Sequence, residues 1–414
     1  MSGVGAAGNG NDPEPAPLPP QSAARAHGRP DEVAVVALCS STHATTARIR
    51  ALLRRWSPVE SMEALIKREP DVLRALASDG CRIAAATVAE WARETASISL
   101  PRIDAGLSHR QERIWWAERN VPDDLSVLGE LLNDDDDQPP VLFLRGSVAA
   151  LRQPRVAVVG TRNATSAGRE MARMLGRELS DRGVSVISGL ALGIDAASHA
   201  GALASPEGMP VGVVGSGLDV VYPPANRRLW HHVAERGLLL SELASTRGPT
   251  PSTFPARNRI IAQLAQVVVV VESAVSGGSL ITVDRALERG RPVLAVPGSP
   301  LSPMSAGTND LLRPGLLGPV ALPCLNVADV LTLLDLEVVS DSGYVDHRNQ
   351  PTATDEVVLQ ALGWDEQSVG GLAGRLASGQ TVLSLAAVSL SLARLEQAGW
   401  VNRVAGRWRR AGVG

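Results

Sequence analysis

Residues 267–271 read Val267-Val268-Val269-Val270-Val271, and this run decides the fold class. It is apolar at every position rather than at alternate positions, which is typical of a central strand covered on both faces of a sheet. Similar β-branched runs lie on both sides of it, separated by amphipathic stretches at 167–182 and 280–289. Together they predict strands at 155–159, 184–188, 210–214, 238–241, 267–272 and 292–296. The alternation predicts a doubly wound, mostly parallel α/β sheet.

Changes in composition divide the rest of the chain. Residues 1–30 are rich in Gly, Ala and Pro and predict a disordered tail. Residues 31–118 carry helical patterns and predict a small N-terminal helical domain. The sheet domain is expected over 119–338, and a polar linker over 339–354. Residues 355–414 hold three helical stretches followed by a candidate hairpin, a pattern typical of a winged-helix-like domain.

The composition is that of a globular protein and excludes several classes. Hydrophobic residues make up 44% and charged residues 20% of the 414 positions, and the formal net charge is −3. Cys39, Cys81 and Cys324 lie far apart, which argues against a disulfide framework and a cysteine zinc site. No apolar run reaches the roughly 18 residues that a spanning helix needs. We therefore expect a soluble, reduced, cytoplasmic protein with no membrane contact.

Two loops after predicted strands are candidate anion sites. In an open α/β sheet, ligands lie beyond the carboxyl ends of the strands, where the strand order switches. The first predicted strand runs into the loop 160–168, in which Arg162 can hold a phosphate with its forked guanidinium. The fifth runs into Ser276-Gly277-Gly278-Ser279 at a helix start, where N–H groups and the helix dipole favour an anion. Each loop could instead be a tight turn, with a surface arginine or an N-cap serine.

Asp195, Ser198 and His199 follow the second predicted strand and invite a catalytic-triad interpretation. Helical geometry argues against it, because Asp195 and His199 share a face at i,i+4 while Ser198 points about 100° away. We expect Asp195 to cap or pair and His199 to support the loop. After the third predicted strand, Gly215-Ser216-Gly217 lacks the third glycine of a dinucleotide fingerprint. No metal or nucleotide cofactor is indicated.

The segment Phe254-Pro255-Ala256-Arg257-Asn258-Arg259 lies between the fourth and fifth predicted strands. Arg257 and Arg259 are i,i+2 on a helix, so one is expected to face a ligand or partner and the other the fold. A phenylalanine beside arginines is a way to hold single-stranded bases, with a ring for stacking and charge for the backbone. A hydrophobic staple is the structural alternative for Phe254. Residues 155–291 contain 15 arginines and 11 acidic residues, a local excess that fits binding in a pocket.

These segments, in this order, resemble the DNA-processing protein A family, also called Smf. The motifs that carry the resemblance are collinear over roughly 155–315. They include Val159-Gly160-Thr161-Arg162, Ser188-Gly189-Leu190-Ala191-Leu192-Gly193-Ile194-Asp195, Gly217-Leu218-Asp219 with Tyr222-Pro223, Phe254-Pro255-Ala256-Arg257-Asn258-Arg259-Ile260-Ile261, Ser276-Gly277-Gly278-Ser279-Leu280-Ile281-Thr282, Val296-Pro297-Gly298 and Gly307-Thr308-Asn309. The resemblance implies an extended Rossmann-like domain that binds single-stranded DNA without cleaving it. It also implies a dimer that protects incoming strands in natural transformation and helps to load the recombinase RecA.

Carried over residue by residue, the resemblance implies a pocket for the DNA strand. Its candidate residues are Arg162, Gly189, Phe254, Arg257, Asn258, Arg259, Ser276, Gly277, Gly278 and Ser279. Arg162 and the loop amides would hold phosphates, and Phe254 would stack near a base. The family also places a basic residue shortly before the Phe-Pro pair, where this chain has Thr250-Pro251-Ser252-Thr253 and the nearest base is Arg247.

An enzyme is the main alternative, because a related architecture occurs in nucleotide-processing phosphoribohydrolases. Such an enzyme needs an acid to assist N-glycosidic cleavage, and Glu242 or Glu272 could be nominated. Those enzymes carry a Gly-Gly-x-Gly-Thr run where this chain has Ser276-Gly277-Gly278-Ser279. The Phe-Pro-x-Arg-Asn-Arg segment has no role in them either. We therefore predict a DNA-binding protein that is not an enzyme.

Overall fold

The computed structural model describes residues 30–117, 123–132, 137–313, 320–336, 351–362, 367–377, 383–404 and 406–410. The predicted disordered tail up to residue 29 and the predicted linker up to residue 350 lie outside these ranges. Among the helices of the described ranges, none is both long and apolar enough to cross a membrane.

Among the residues that the structure describes, nine strands form one sheet that organises the central part of the chain. They are β1 Arg113–Trp116, β2 Val141–Gly146, β3 Arg155–Val159, β4 Ser185–Ser188, β5 Val211–Val213, β6 Leu238–Ser241, β7 Val267–Val270, β8 Val293–Ala295 and β9 Leu322–Pro323. Their spatial order is β1-β2-β6-β5-β4-β3-β7-β8-β9. The strands from β3 to β9 are parallel, whereas β1 and β2 are antiparallel to their neighbours. The six predicted strands are therefore confirmed as β3 to β8, in a mostly parallel sheet.

The valine run forms the central strand β7, as predicted. β7 pairs in parallel with β3, with Val158 opposite Val269. Val268 and Val270 belong to the apolar core on one face of the sheet, and Val267 and Val269 to the core on the other face. Each buried valine contributes roughly 1.5–3 kcal/mol of hydrophobic free energy, so both faces must be covered by helices.

Helices cover both faces and make the sheet doubly wound. In the sheet domain they are α7 Ser126–Leu132, α8 Ser166–Asp181, α9 Ile194–Ala204, α10 Arg227–Arg236, α11 Thr253–Leu264, α12 Leu280–Leu287, α13 Ala306–Leu311 and α14 Val327–Leu333. α7, α11 and α12 bury side chains on one face, and α8, α9 and α14 on the other. The strand order changes direction between β3 and β7, which is the switch point at which such sheets bind ligands.

The N-terminal helices pack on the antiparallel edge of this sheet. They are α1 Pro30–Ser40, α2 Thr46–Leu53, α3 Pro58–Lys67, α4 Glu69–Ser78, α5 Ala85–Ala96 and α6 Leu100–Arg110. Their buried side chains share one apolar core with β2, β6 and α10. The span 31–118 is not wholly helical, however, because Arg113–Trp116 form β1. Ile114 and Trp115 are buried in the cores on opposite faces of the sheet. Successive side chains of a strand point to opposite faces, so the strand conformation buries both residues.

The C-terminal part contains the predicted three helices and hairpin. The helices are α15 Ala353–Leu362, α16 Val369–Ala377 and α17 Leu385–Gln397, and the strands are β10 Val401–Val404 and β11 Arg407–Arg410. β10 and β11 are antiparallel, and Trp408 also forms a bridge with Gln367. Asp355 near the start of α15 accepts hydrogen bonds from Ser391 and Arg394 of α17. The winged-helix-like assignment of this part remains a prediction.

Candidate nucleic-acid interface

The candidate site begins where β3 and β7 end side by side at the switch point. The amide of Thr161, just after β3, donates a 2.7 Å hydrogen bond to the carbonyl of Glu272, just after β7. A Cβ at position 160 would lie 2.6 Å from Ile194 Cγ1 and 2.8 Å from the Glu272 carbonyl oxygen. Gly160 is therefore required for the two loops to approach each other, and the loops carrying Arg162 and Ser276 form one surface.

Glu272 fixes the loop that carries Arg162. Its buried carboxylate accepts hydrogen bonds from the Thr165 amide, at 2.9 Å, and from the Thr165 hydroxyl, at 2.6 Å. The same hydroxyl caps α8 by accepting from the amide of Gly168, at 3.0 Å. The loop is therefore held at both ends, while Arg162 itself is exposed.

The ring of Phe254 contacts both Arg162 and Tyr222. The guanidinium carbon of Arg162 lies 5.0 Å from the centroid of the Phe254 ring, within cation–π distance. The ring of Tyr222 lies 5.4 Å from the same ring at an interplanar angle of 40°. Tyr222 is 41% exposed. The three side chains form a cationic and aromatic platform, which can stack on a base and hold its phosphate.

Tyr222 is the site residue that sequence reasoning missed. Its signal in the sequence was rarity, because the chain has only two tyrosines and two phenylalanines. Its contact is with Phe254 in the first turn of α11, 32 residues further along the chain, so spacing alone could not reveal it.

Arg257 lies beneath this platform rather than on it. It is 7% exposed, and its Nη1 donates a 2.6 Å hydrogen bond to the carbonyl of Val213. Nη2 lies 3.7 Å from the buried carboxylate of Asp195. Burial lowers the pKa of Arg257 and raises the pKa of Asp195, while the attraction between the two charges opposes both shifts. A Cβ at Gly189 would overlap the guanidinium, so Gly189 makes room for it.

Arg259 is also buried, on the side of the helix facing β6. Its guanidinium forms a close ion pair with Glu242, and its Nε lies 3.5 Å from Asp137. The expectation that one of Arg257 and Arg259 faces outward is not met, since both are less than a tenth exposed. Both side chains have carbonyl or carboxylate partners that only the tertiary fold supplies.

The loop from Ser276 to Ser279 retains the features of an anion site. The amides of Ser276, Gly278 and Ser279 have no hydrogen-bond acceptor among the described residues, and Ser276 and Gly278 are exposed. The Ser279 hydroxyl donates to the Ser273 hydroxyl at 2.9 Å, and Asn258 Nδ2 donates to the Gly278 carbonyl at 3.1 Å. Asn258 therefore joins this loop to α11, and the amides in front of α12 are available to a phosphate.

Asp195 and His199 do not form a catalytic triad with Ser198. Asp195 Oδ2 accepts from the amides of Gly189 and Ala191, at 3.2 and 3.4 Å. The ring of His199 is fully buried, with Nε2 3.3 Å from the Val211 carbonyl oxygen, and burial lowers the pKa of His199 to about 4. The Ser198 hydroxyl donates to the Asp195 carbonyl. Asp195 therefore pairs as expected, whereas His199 contacts β5 rather than the loop after β4.

Arg247, the nearest base before the Phe-Pro pair, does not reach into the platform. Its Nη1 donates to the carbonyl of Ser41, between α1 and α2. This arginine joins the N-terminal helices to the loop after β6.

The fold and this site define a Rossmann-like protein with a cationic, aromatic and amide-rich cleft at the switch point of its sheet. The family model described as DNA recombination-mediator protein A matches residues 114–330. The chain belongs to this family, and the resemblance inferred from the motifs is confirmed.

Individual relatives agree with this assignment. The chain is 36% identical over 333 residues to a putative DNA processing protein DprA of Mycobacterium tuberculosis, an alignment that covers 70% of this chain and 81% of the relative. It is 43% identical over 184 residues to DNA processing protein DprA of Streptococcus pneumoniae, covering 44% of this chain and 64% of the relative. The chain thus spans less than two thirds of the length of that relative. The X-ray structure of the Streptococcus pneumoniae protein matches 72% of this chain and 97% of its own, at 33% identity and a TM-score of 0.56.

Proposed function

We propose that this chain binds single-stranded DNA in the cleft at the switch point, protects the strand and helps to load RecA, as a cytoplasmic homodimer. The observation that carries the proposal is the platform of Arg162, Phe254 and Tyr222 beside the open amides of the Ser276 loop. Binding of a single strand requires rings that stack on its bases and groups that hold its phosphates, and the two lie side by side here.

The arrangement favours a single strand over a duplex. Phe254 is partly exposed and Tyr222 is exposed. The faces of bases in a duplex are covered by their neighbours, so a base must be unpaired to stack on these rings. Neither ring contacts base edges by itself, and we expect binding with little sequence preference. Membership in a family described as DNA recombination-mediator protein A supports the recombination part of the proposal, in which the chain helps to load RecA.

The proposal has no catalytic step. The enzyme alternative needs a carboxylic acid that can approach an N-glycosidic bond, and the sequence nominated Glu242 and Glu272. Glu242 is paired with Arg259, and the carboxylate of Glu272 accepts both donors of Thr165. Each acid has a structural role that engagement with a substrate would disrupt.

Fluorescence anisotropy of a labelled oligo-dT over a salt series tests the proposal. We expect Phe254→Ala to weaken binding about tenfold or more, since one stacked base contributes about 1–3 kcal/mol. Arg162→Ala should also reduce the steepness of the salt dependence by about 0.7, the value for one phosphate contact on a single strand.

Arg177→Ala is the matched control, because it removes one exposed arginine of α8 far along the helix from the cleft. It should leave binding unchanged. Absence of single-strand binding by the wild-type protein at low salt would overturn the proposal. A hydrodynamic mass equal to one chain would overturn the homodimer, and failure to accelerate RecA assembly on the bound strand would overturn the loading role.

A further inference from the structure

The first turn of α10 presents two arginines that the site motifs do not include. Arg227 and Arg228 are exposed, and neither has an ion pair or a hydrogen bond from its side chain within the part of the chain that the structure describes. His231 and His232 follow one turn later and are exposed as well. At i,i+4 spacing these four side chains form two adjacent basic rows on one surface of the helix.

α10 is held rigidly against the binding cleft. Asn226, which precedes the helix, donates from Nδ2 to the carbonyls of Leu190 and Ala191, at 2.9 and 3.2 Å. These carbonyls belong to the loop after β4 whose amides bind Asp195 beneath the platform. On the inner face of α10, Trp230 and Val233 are fully buried. The exposed arginines therefore have a fixed position relative to the cleft.

The basic rows also lie close to the platform along the chain. Tyr222 precedes Arg227 by five residues, which span at most about 18 Å even when fully extended. A strand whose base stacks on Tyr222 can therefore continue onto α10.

The exposed arginines on α8 and at the far end of α10 differ from this pair. On α8, Arg173 pairs with Glu170, and Arg177 lies 3.7 Å from Asp181. At the far end of α10, Arg236 donates to three backbone carbonyls. Arg227 and Arg228 retain their full hydrogen-bonding capacity, and phosphate oxygens are the acceptors that guanidinium groups match best.

We propose that Arg227 and Arg228 form a second contact surface for the same DNA strand, binding phosphates of nucleotides that lie beyond the one stacked on the platform. This inference rests on the proposed function and extends its site from the cleft onto α10. The contact is to the backbone, so it adds affinity without sequence preference.

Anisotropy with two lengths of oligo-dT separates this inference from the proposed function. A short oligomer of about four nucleotides should fill the cleft alone, whereas one of about 16 nucleotides can also reach α10. We expect the double variant Arg227→Ser/Arg228→Ser to bind the short oligomer like the wild type. On the long oligomer its salt slope should be lower by about 1.4, two contacts at about 0.7 each. A fourfold rise in salt concentration should then reduce the ratio of the wild-type affinity to the variant affinity for the long oligomer about sevenfold.

The double variant Arg173→Ser/Arg177→Ser is the control, because it removes the same charge from α8. Its slope should equal that of the wild type, and a thermal melt should show that both variants remain folded. The inference would be overturned if the α10 variant had the salt slope of the wild type, or if the α8 variant lost as much slope as the α10 variant. In either case, binding of the short oligomer by the wild type would still support the proposed function. Failure of the wild type to bind either oligomer would overturn both.

Discussion

The guanidinium of Arg257 occupies the space in which residue 189 would otherwise carry a side chain. A Cβ at position 189 would overlap the Nη1, Nη2 and Cζ atoms of Arg257. Nη1 is hydrogen-bonded to the Val213 carbonyl and Nη2 faces Asp195. Gly189 therefore acts by making room for Arg257 beneath the platform, and this role requires no direct contact with DNA.

Gly189→Ala should destabilise the protein by about 2 kcal/mol or more. The new methyl group must displace a buried guanidinium, which combines overpacking with the loss of a buried charge partner. Urea denaturation followed by tryptophan fluorescence measures the change. Gly129→Ala, where an added Cβ meets nothing within 4 Å, is the control and should be neutral or slightly stabilising. A stable Gly189→Ala protein would contradict the packing described for Arg257.

Arg259→Ala should lower the stability of the protein, whereas Arg162→Ala should weaken DNA binding and leave stability nearly unchanged. Arg259 is 6% exposed and paired with Glu242, so its removal leaves a buried carboxylate without a partner and should cost about 3 kcal/mol of stability. Arg162→Ala changes an exposed side chain and should alter stability by no more than about 0.5 kcal/mol. Denaturation curves and anisotropy on the same preparations separate the two effects.

A double-mutant cycle completes this test. Glu242→Gln and Arg259→Ala combined should cost clearly less than the sum of the two single changes, because each alone breaks the same pair. If Arg259→Ala kept full stability but lost DNA binding, Arg259 would be a contact to the strand instead of a structural ion pair.

His199 should make the protein less stable in mild acid. Burial lowers the pKa of His199 to about 4 in the folded state, whereas an unfolded histidine titrates near 6.5. The unfolded chain therefore binds a proton first, and stability is lost as the pH falls from about 6.5 to about 4. Between pH 7.5 and pH 5 the loss from this one group is about 2 kcal/mol, because a tenfold difference in proton affinity between the two states corresponds to about 1.4 kcal/mol.

Melting curves at pH 7.5 and 5 measure this effect. The pH dependence should shrink in His199→Asn, which cannot titrate, and persist in His231→Asn, which changes an exposed ring. Equal pH dependence in the wild type and His199→Asn would show that another group is responsible.

Asp355 should stabilise the C-terminal helices above about pH 4. Desolvation alone would raise the pKa of Asp355, but hydrogen bonds from Arg394, Ser391 and Thr352 outweigh it and hold the pKa well below its ordinary value. A depressed carboxyl pKa gives stability that is present above the unfolded pKa of about 3.9 and is lost as the pH falls through the folded one.

Asp355→Asn should therefore cost about 2 kcal/mol at neutral pH, the scale of hydrogen bonds to a charged group. The difference in unfolding free energy between the variant and the wild type should become smaller below about pH 4. Asp335→Asn, at an exposed turn after α14, is the control with no expected effect. A difference that stayed constant from pH 6 to pH 3 would exclude the charged form of Asp355 as the source.

The architecture of the sheet and the family of the chain could be predicted from the residues alone. The valine run can be satisfied only where both faces are covered, and β-branched runs alternating with amphipathic helices leave few topologies other than a parallel, doubly wound sheet. The carboxyl ends of those strands then place the Arg162 and Ser276 loops at one edge. Local pattern was sufficient for these conclusions, because hydrophobic periodicity is dictated by burial.

The solvent exposure of the polar groups in the motifs, in contrast, depends on contacts made by the folded chain. Arg257 and Arg259 are two residues apart on α11, and helical spacing predicted opposite environments, yet Asp195 and Glu242 draw both inward. Tyr222 contacts Phe254 of α11, which is distant in the chain, and Arg113–Trp116 become a strand because β2 offers an open edge. A buried charge is tolerated only where the fold supplies its partner, and that partner comes from a part of the chain that local pattern cannot identify.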